Sequence, residues 1–524
     1  MIAEIVVFLF TTLIAYFLYS YKKFHFHFKE RGVKYLPGIP IFGNVLKSTI
    51  LKKHIWEDID VVYKAFPDEK YVGFIEAITP IILIRDPELI KTITVKDFDH
   101  FTDHRAFFPE EIEPLFGGSI FMMKGDRWRD MRTTLSPAFT GSKMRHMMPF
   151  MLEISENIVN YLKDHQTKDI DVGEVMRRYT NDVIASTGFG LQVNSLKDKD
   201  NEFYKTGQNI FTFTFMQRFW MFFLAVFPEL SKKIGVKIFP EETTKFFENL
   251  VLRTMEYREK NNVERPDMIQ LLMEASKGTL KHTTENIEND VGFATTEEIL
   301  KPQGKVREWT QNELVGQVFL FFIAGFESSA SVMVMCIHEL ALNYDIQEKL
   351  YQEIKEFKKR NSKLTHDNVI ELKYLDSVLN ETFRKWSPAL VMDRVCIKPY
   401  DLPPPREGGK PYRVNPGDII YNMVNSIHMD PKYYSQPDMF DPDRFSDENK
   451  HKIQPFTFMP FGMGPRNCIG SRFALLELKV ILYDLVSNFK ILKCAKTTDP
   501  IVLLPKDFNI KAKDGTWVKL EARN

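Results

Sequence analysis

Between Ile5 and Tyr21 the chain carries no charge and is mostly apolar, a pattern that predicts one helix about 26 Å long at about 1.5 Å per residue. That length suits a thin bilayer such as that of the endoplasmic reticulum, about 27 Å. The run ends in Tyr21-Lys22-Lys23, with Lys29, Arg31 and Lys34 beyond it, rather than in the small residues of a cleaved signal. It therefore predicts a retained anchor with the body of the protein on the cytosolic side. Tyr35-Leu36-Pro37-Gly38-Ile39-Pro40 cannot continue a helix. Alternation from Tyr71 to Ile84 predicts a strand pair turning near Thr79-Pro80, and Asp86-Pro87 then opens a helix. Residues 150 to 300 follow helical periodicity. Within them Phe211, Phe213, Phe215, Phe219, Trp220, Phe222, Phe223 and Phe227 make a dense aromatic stretch that suits core, a membrane-dipping surface or the roof of a lipophilic pocket. The polar segment from Lys277 to Arg307 predicts a solvated connection. Thr310 and Glu313 form a capping-box pattern, and Leu314 to Phe326 is apolar nearly all round, so a long helix should run through the core. Pro416-Gly417-Asp418 and Asp514-Gly515 predict hairpin turns, the second inside Asn509 to Leu520.

Composition narrows the picture only modestly. The 524 residues include 70 basic and 70 acidic side chains, so the total gives no sign of nucleic acid or another polyanion as partner. Cys336, Cys396, Cys468 and Cys494 are far apart and form no CxxC pair, which argues against a disulfide framework or a zinc site and suits a reducing compartment. No Gly/Ser linker or repeat divides the chain after its first few dozen residues.

Chemistry concentrates in a few short stretches. Phe461-Gly462-Met463-Gly464-Pro465-Arg466-Asn467-Cys468-Ile469-Gly470 precedes a run that reads as the start of a helix. A cysteine there is either an ordinary buried thiol or a thiolate ligand, favoured by backbone N–H groups and a helix N-terminus. Trp128 and Arg132 stand four apart, one face of an amphipathic helix. Ala324-Gly325-Phe326-Glu327-Ser328 puts an acid beside a hydroxyl in apolar surroundings, which is costly unless the pair has work to do or bonds the preceding turn. Glu381 and Arg384, three apart, are by themselves only an ion pair.

Taken in chain order, the Trp128–Arg132 pair, Ala324 to Ser328, the Glu381–Arg384 pair, Pro442-Asp443-Arg444-Phe445 and the Cys468 loop resemble the motifs of the cytochrome P450 family, most of all its insect microsomal members that clear lipophilic toxins. The resemblance implies a mainly α fold with small β-sheets, a helical prism around haem. It implies an anchor over residues 1–22, a basic and proline-rich hinge over 23–44 and a catalytic domain over 45–524. Haem b would be held by Cys468 as axial thiolate and metal ligand, covered by Phe461 and Gly462, and would lie against Ala324 and Gly325. Arg466, Trp128, Arg132, Arg394 and Arg105 would meet its propionates. Glu327 and Ser328 would deliver protons, with serine standing where the family usually has threonine. Glu381, Arg384 and Arg444 would form a structural network.

The implied reaction is monooxygenation of a lipophilic xenobiotic at the endoplasmic reticulum membrane. Electrons would come from NADPH through the NADPH-cytochrome P450 reductase, with cytochrome b5 as a further partner, because this chain has no flavin or dinucleotide pattern of its own. Lys143, Arg145, Lys450 and Lys452 are either a docking face or solvated surface. The rivals are a monooxygenase of an endogenous lipid or hormone, a hydroperoxide isomerase that uses neither O2 nor reductase, and a non-catalytic haem or lipid-binding protein.

Overall fold

The computed structural model describes residues 2–165, 168–277 and 309–523. In chain order the elements that matter are helix α1 (Ile2–Glu30), strands β1 (Tyr71–Glu76) and β2 (Thr79–Ile84), and helices α2 (Gly125–Leu135) and α3 (Gly141–Lys163). Next come β3 (Ile170–Asp171), α4 (Val172–Phe189), α5 (Phe215–Val226), α6 (Gln311–Leu342) and α7 (Lys373–Lys385). The C-terminal part adds β4 (Met392–Val395), β5 (Tyr400–Leu402), β6 (Tyr412–Val414), β7 (Ile419–Asn422), α8 (Ser471–Asn488), β8 (Phe489–Leu492) and β9 (Trp517–Ala522). The architecture is the expected one, mainly helical with small sheets. Apart from Lys277, the polar connection expected up to Arg307 lies outside the described residues.

The long helix α6 begins where the capping box predicts: the Thr310 hydroxyl accepts from the Glu313 N–H and the Glu313 carboxylate accepts from the Thr310 N–H. Most of it is buried, so although it is long and apolar enough to cross a membrane, it is the core helix. It lies on α4, where Thr180 Oγ1 donates to the Phe326 carbonyl at 2.9 Å. A Cβ on Gly325 would stand 2.9 Å from Ile184, so the glycine serves this close helix packing.

One sheet has the order β1-β2-β7-β4, with β2 and β7 parallel and the other pairs antiparallel. The β1–β2 turn sits at Ala77-Ile78, not at Thr79-Pro80: Pro80 lies inside β2 opposite Ile75, and the ladder to β7 starts only at Ile81, so the proline leaves no β7 partner unsatisfied. Neither Pro416-Gly417-Asp418 nor Asp514-Gly515 closes a hairpin. The first leads from β6, paired with β5, into β7 of the other sheet, and the second precedes β9, which pairs with β8 and β3. Turn chemistry marks where the chain bends, while partners are set by burial.

Helix α1 runs unbroken from Ile2 past the basic residues to Glu30 and stops before Gly32, which has positive φ. Its described residues between Val7 and Tyr19 are largely exposed, whereas Phe28 is wholly buried against Gly73 of β1. The aromatic stretch divides three ways. Phe211 stacks on Phe326 of α6 at 5.5 Å, Phe222 meets Phe42 of the hinge at 5.7 Å, and Phe215 stands 82% exposed.

Helix α8 packs against α3 and α6 and carries Glu477, a fully buried carboxyl whose nearest polar neighbour is the Ser329 hydroxyl, with no hydrogen bond closed to either oxygen. Burial raises its pKa from 4.5 to about 8. The folded chain thus keeps a proton that the unfolded chain releases above 4.5, so stability falls as pH rises between the two values. Glu477→Gln should remove that slope and add on the order of 3 kcal/mol at about pH 8, checked by urea unfolding at about pH 5 and pH 8.

Candidate functional site

Cys468 lies in a loop whose shape depends on glycine. A Cβ on Gly464, at φ +72°, would stand 1.9 Å from the Thr94 carbonyl oxygen, and Gly462 is at φ +81°. The Cys468 N–H donates to the Phe461 carbonyl at 2.7 Å and the Gly462 N–H to the Met459 carbonyl at 3.1 Å, which closes the loop. Phe461 packs edge-on against Phe383 of α7 at 5.0 Å and belongs to the helical core, whereas Met463 packs on the sheet core. The loop therefore sits where the two cores meet. Cys468 is enclosed by protein yet bare, between a buried Asn467 and a half-buried Ile469. Burial pushes its thiol up, against the Gly470 N–H and the Arg132 charge. A thiolate there calls for a cation at the sulfur.

The loop hangs from a buried ion network. Arg384 grips Glu381 with two hydrogen bonds of 2.7 and 2.8 Å, and both side chains are wholly buried. Arg384 also donates to the carbonyls of His428, Pro437 and Met439. Glu381 accepts from the Asp441 N–H at 2.9 Å and has Arg444 Nε at 3.5 Å. The Arg384 and Glu381 groups that burial would orphan thus find partners in the chain leading to the cysteine.

Positive charge converges beside the loop. The Arg466 guanidinium lies 4.0 Å over the buried Trp128 ring and donates to the carbonyls of Thr102, Ile120 and Met123. Arg132 binds Asn467 through its backbone oxygen at 2.9 Å and its side-chain oxygen at 2.5 Å. Arg394 is fully buried, its Nε has no partner among the described residues, and burial lowers its pKa to about 10. Burial and the neighbouring Arg394 together lower Arg466 well below its ordinary value. Asp103 lies 3.8 Å from Arg466, and Asp393 is shared with His104 at 2.9 Å and the Arg105 N–H at 2.5 Å. Among the described residues Arg394 and Arg466 are short of anion, which suits a ligand that brings carboxylates. The Arg105 side chain differs, because its charge is already answered by Glu76 and the Tyr421 hydroxyl.

On α6, Ala324 is exposed in the middle of a buried helix, and the Ser328 hydroxyl donates to its carbonyl. Phe139 links this face to the cysteine loop: it touches Phe321 of α6 at 5.4 Å and would meet a Cβ on Gly470 at 3.7 Å. Glu327 points the other way, into a cleft lined by Asp171, Arg177, Ser331, Lys511 and Thr516. Lys511 Nζ is 4.0 Å from it, and burial raises its pKa in spite of Arg177 and Lys511.

A family model described as Cytochrome P450 matches residues 33–517. The chain belongs to the cytochrome P450 family. Among its relatives, a protein named "Probable cytochrome P450 9f2" of Drosophila melanogaster is 42% identical over 514 residues, 95% of each chain. "Cytochrome P450 9e2" of Blattella germanica is 39% identical over 98% of this chain and 97% of that one, and "Cytochrome P450 6k1" of the same organism is 34% identical over 100% and 98%. Membership makes the chain a P450 monooxygenase, an oxidoreductase that binds haem iron. The bared cysteine, the orphaned Arg394 Nε and the anion-poor cluster fit that group.

Asp103, His104, Asp393, Asn467, Arg177, Lys511 and His428 also shape the site, and the motifs did not single them out. For His104 and Asp393 the signal was adjacency to Arg105 and Arg394. Lys511 lies far along the chain from Glu327, so no spacing reveals it.

Arg384→Leu leaves the buried Glu381 with only the Asp441 N–H and the more distant Arg444, and should cost about 3–5 kcal/mol. The Glu381→Leu, Arg384→Leu double variant should cost less than the two single changes added together, a comparison read from urea unfolding midpoints.

Proposed function

We propose that Cys468 ligates haem b and that the enzyme oxidises lipophilic xenobiotics at the endoplasmic reticulum membrane. The observation that carries the reading is the cluster of Arg394, Arg466, Arg132 and Trp128 beside a bared Cys468, with the Arg394 and Arg466 guanidiniums held below their ordinary pKa by burial and the thiol pushed up by it. Haem bound there supplies activation of O2, one atom entering the substrate and the other leaving as water. Arg394, Arg466, Arg132 and Trp128 hold its carboxylates, with Arg105 as a further contact once its Glu76 pair opens. Phe461 and Gly462 cover the sulfur, and Ala324 keeps the opposite face low.

Glu327 carries protons from its cleft to Ser328. Its raised pKa suits that role, since burial makes it hold its proton more firmly than an ordinary carboxylate does. Ser328 orients the receiving water once its hydroxyl leaves the Ala324 carbonyl. Glu381, Arg384 and Arg444 hold the loop. Electrons reach the site from NADPH through the reductase, with cytochrome b5 as a second donor. Arg145 and Lys450 already pair with Asp367 and Asp447, so docking would exchange these exposed pairs. The exposed apolar face of α1, with the domain boundaries expected from the chain, anchors the catalytic domain to the bilayer.

Cys468→Ser should abolish the red-shifted absorption of the reduced carbonyl complex that reports thiolate ligation; an unchanged spectrum rejects the assignment. In the reductase-reconstituted enzyme, Glu327→Gln should slow product formation by about 10²-fold, and Ser328→Ala should raise peroxide release per NADPH. Products formed from a lipid hydroperoxide without NADPH would instead support isomerase chemistry.

A further inference from the structure

His428 stands between the buried ion network and the cysteine loop, and the sequence motifs leave it unassigned. Its carbonyl accepts from Arg384 Nη1 at 3.0 Å. Its Nε2 accepts from the Met459 N–H at 3.0 Å, and its ring stacks on Phe458 at 5.4 Å. Because a backbone N–H can only donate, Nε2 carries no proton, and the neutral ring places its proton on Nδ1. That nitrogen faces the Phe383 and Arg384 carbonyls at the end of α7 without closing a full hydrogen bond. The ladder then continues from the Met459 carbonyl to the Gly462 N–H at 3.1 Å and from the Phe461 carbonyl to the Cys468 N–H at 2.7 Å.

We propose that His428 is a positioning residue for the Cys468 sulfur, a neutral acceptor that transmits the placement of Glu381 and Arg384 into the loop. The imidazole is fully buried beside the Arg384 guanidinium, so a second proton is opposed by lost hydration and by like charge together. Burial first and Arg384 second lower its pKa to about 3, against the pull of the two carbonyls. It therefore accepts the Met459 N–H throughout the physiological range. Without that acceptor the Met459 N–H is buried and unpaired, which loosens the irregular segment that leads into Gly462. The inference rests on Cys468 being the haem ligand.

The test compares His428→Gln, whose side-chain oxygen reaches about as far as Nε2, with His428→Leu and His428→Asn, which leave no acceptor there. All are made in the full-length haem-loaded protein. Two signals are read: the fraction of reduced carbonyl complex with thiolate-type absorption, and hydrogen exchange at the Met459 amide. The expected result is that Gln keeps both near wild type, whereas Leu and Asn lose thiolate-type absorption and exchange Met459 about tenfold faster. If Leu does not fold, the Gln and Asn pair decides. Equal absorption and equal exchange in Gln and Asn overturn the proposal, as does wild-type behaviour in Leu. A wild-type protein lacking thiolate-type absorption overturns the Cys468 assignment itself, an outcome separate from either.

Discussion

A guanidinium and a carboxylate, both wholly removed from water, meet at Arg384 and Glu381, and the geometry of the site follows from what they must bind to remain there. Two buried charges lose several kcal/mol of hydration each, which mutual attraction offsets only when the remaining donors and acceptors are also met. Here they are met by the backbone of the segment from His428 to Asp441. That segment is irregular and has no ladder of its own, so the ion pair supplies the partners that a helix or strand would otherwise provide. The path from α7 to the cysteine is held by charge.

The opposite imbalance prevails beside Cys468. Burial lowers the pKa of both Arg394 and Arg466, Arg394 lowers that of Arg466 further, and an Arg394 nitrogen has no partner among the described residues. A folded chain tolerates such unmet cations where binding of an anionic group restores the balance, because the same desolvation that destabilises the free site strengthens the bound one. The sulfur mirrors this, being pushed toward the neutral thiol by burial against the Gly470 N–H and the Arg132 charge. One ligand that is positive at its centre and negative at its rim answers both.

The long helix separates two environments with one short sequence. Ala324 and Ser328 share the bared face, Gly325 turns toward Ile184, and Glu327 faces a cleft with Arg177 and Lys511. At about 100° per residue, neighbouring positions look in different directions, so a carboxylate and a hydroxyl adjacent in sequence can serve an outer and an inner compartment.

By itself the sequence determined what depends on local chemistry. The Thr310–Glu313 cap, the burial of α6, the glycines that shape the cysteine loop and the i, i+3 spacing of Glu381 and Arg384 are all local, and all appear in the fold. Tertiary structure decided what depends on partners distant along the chain. It gave β7 to the sheet of β2 instead of to β6, brought Lys511 to Glu327, and turned Arg105 onto Glu76. It also set Met459 on the His428 ring. The physical reason is that a periodicity or a cap is satisfied within one turn or one strand, whereas a buried charge or an edge hydrogen bond takes whichever partner the packed core leaves in reach.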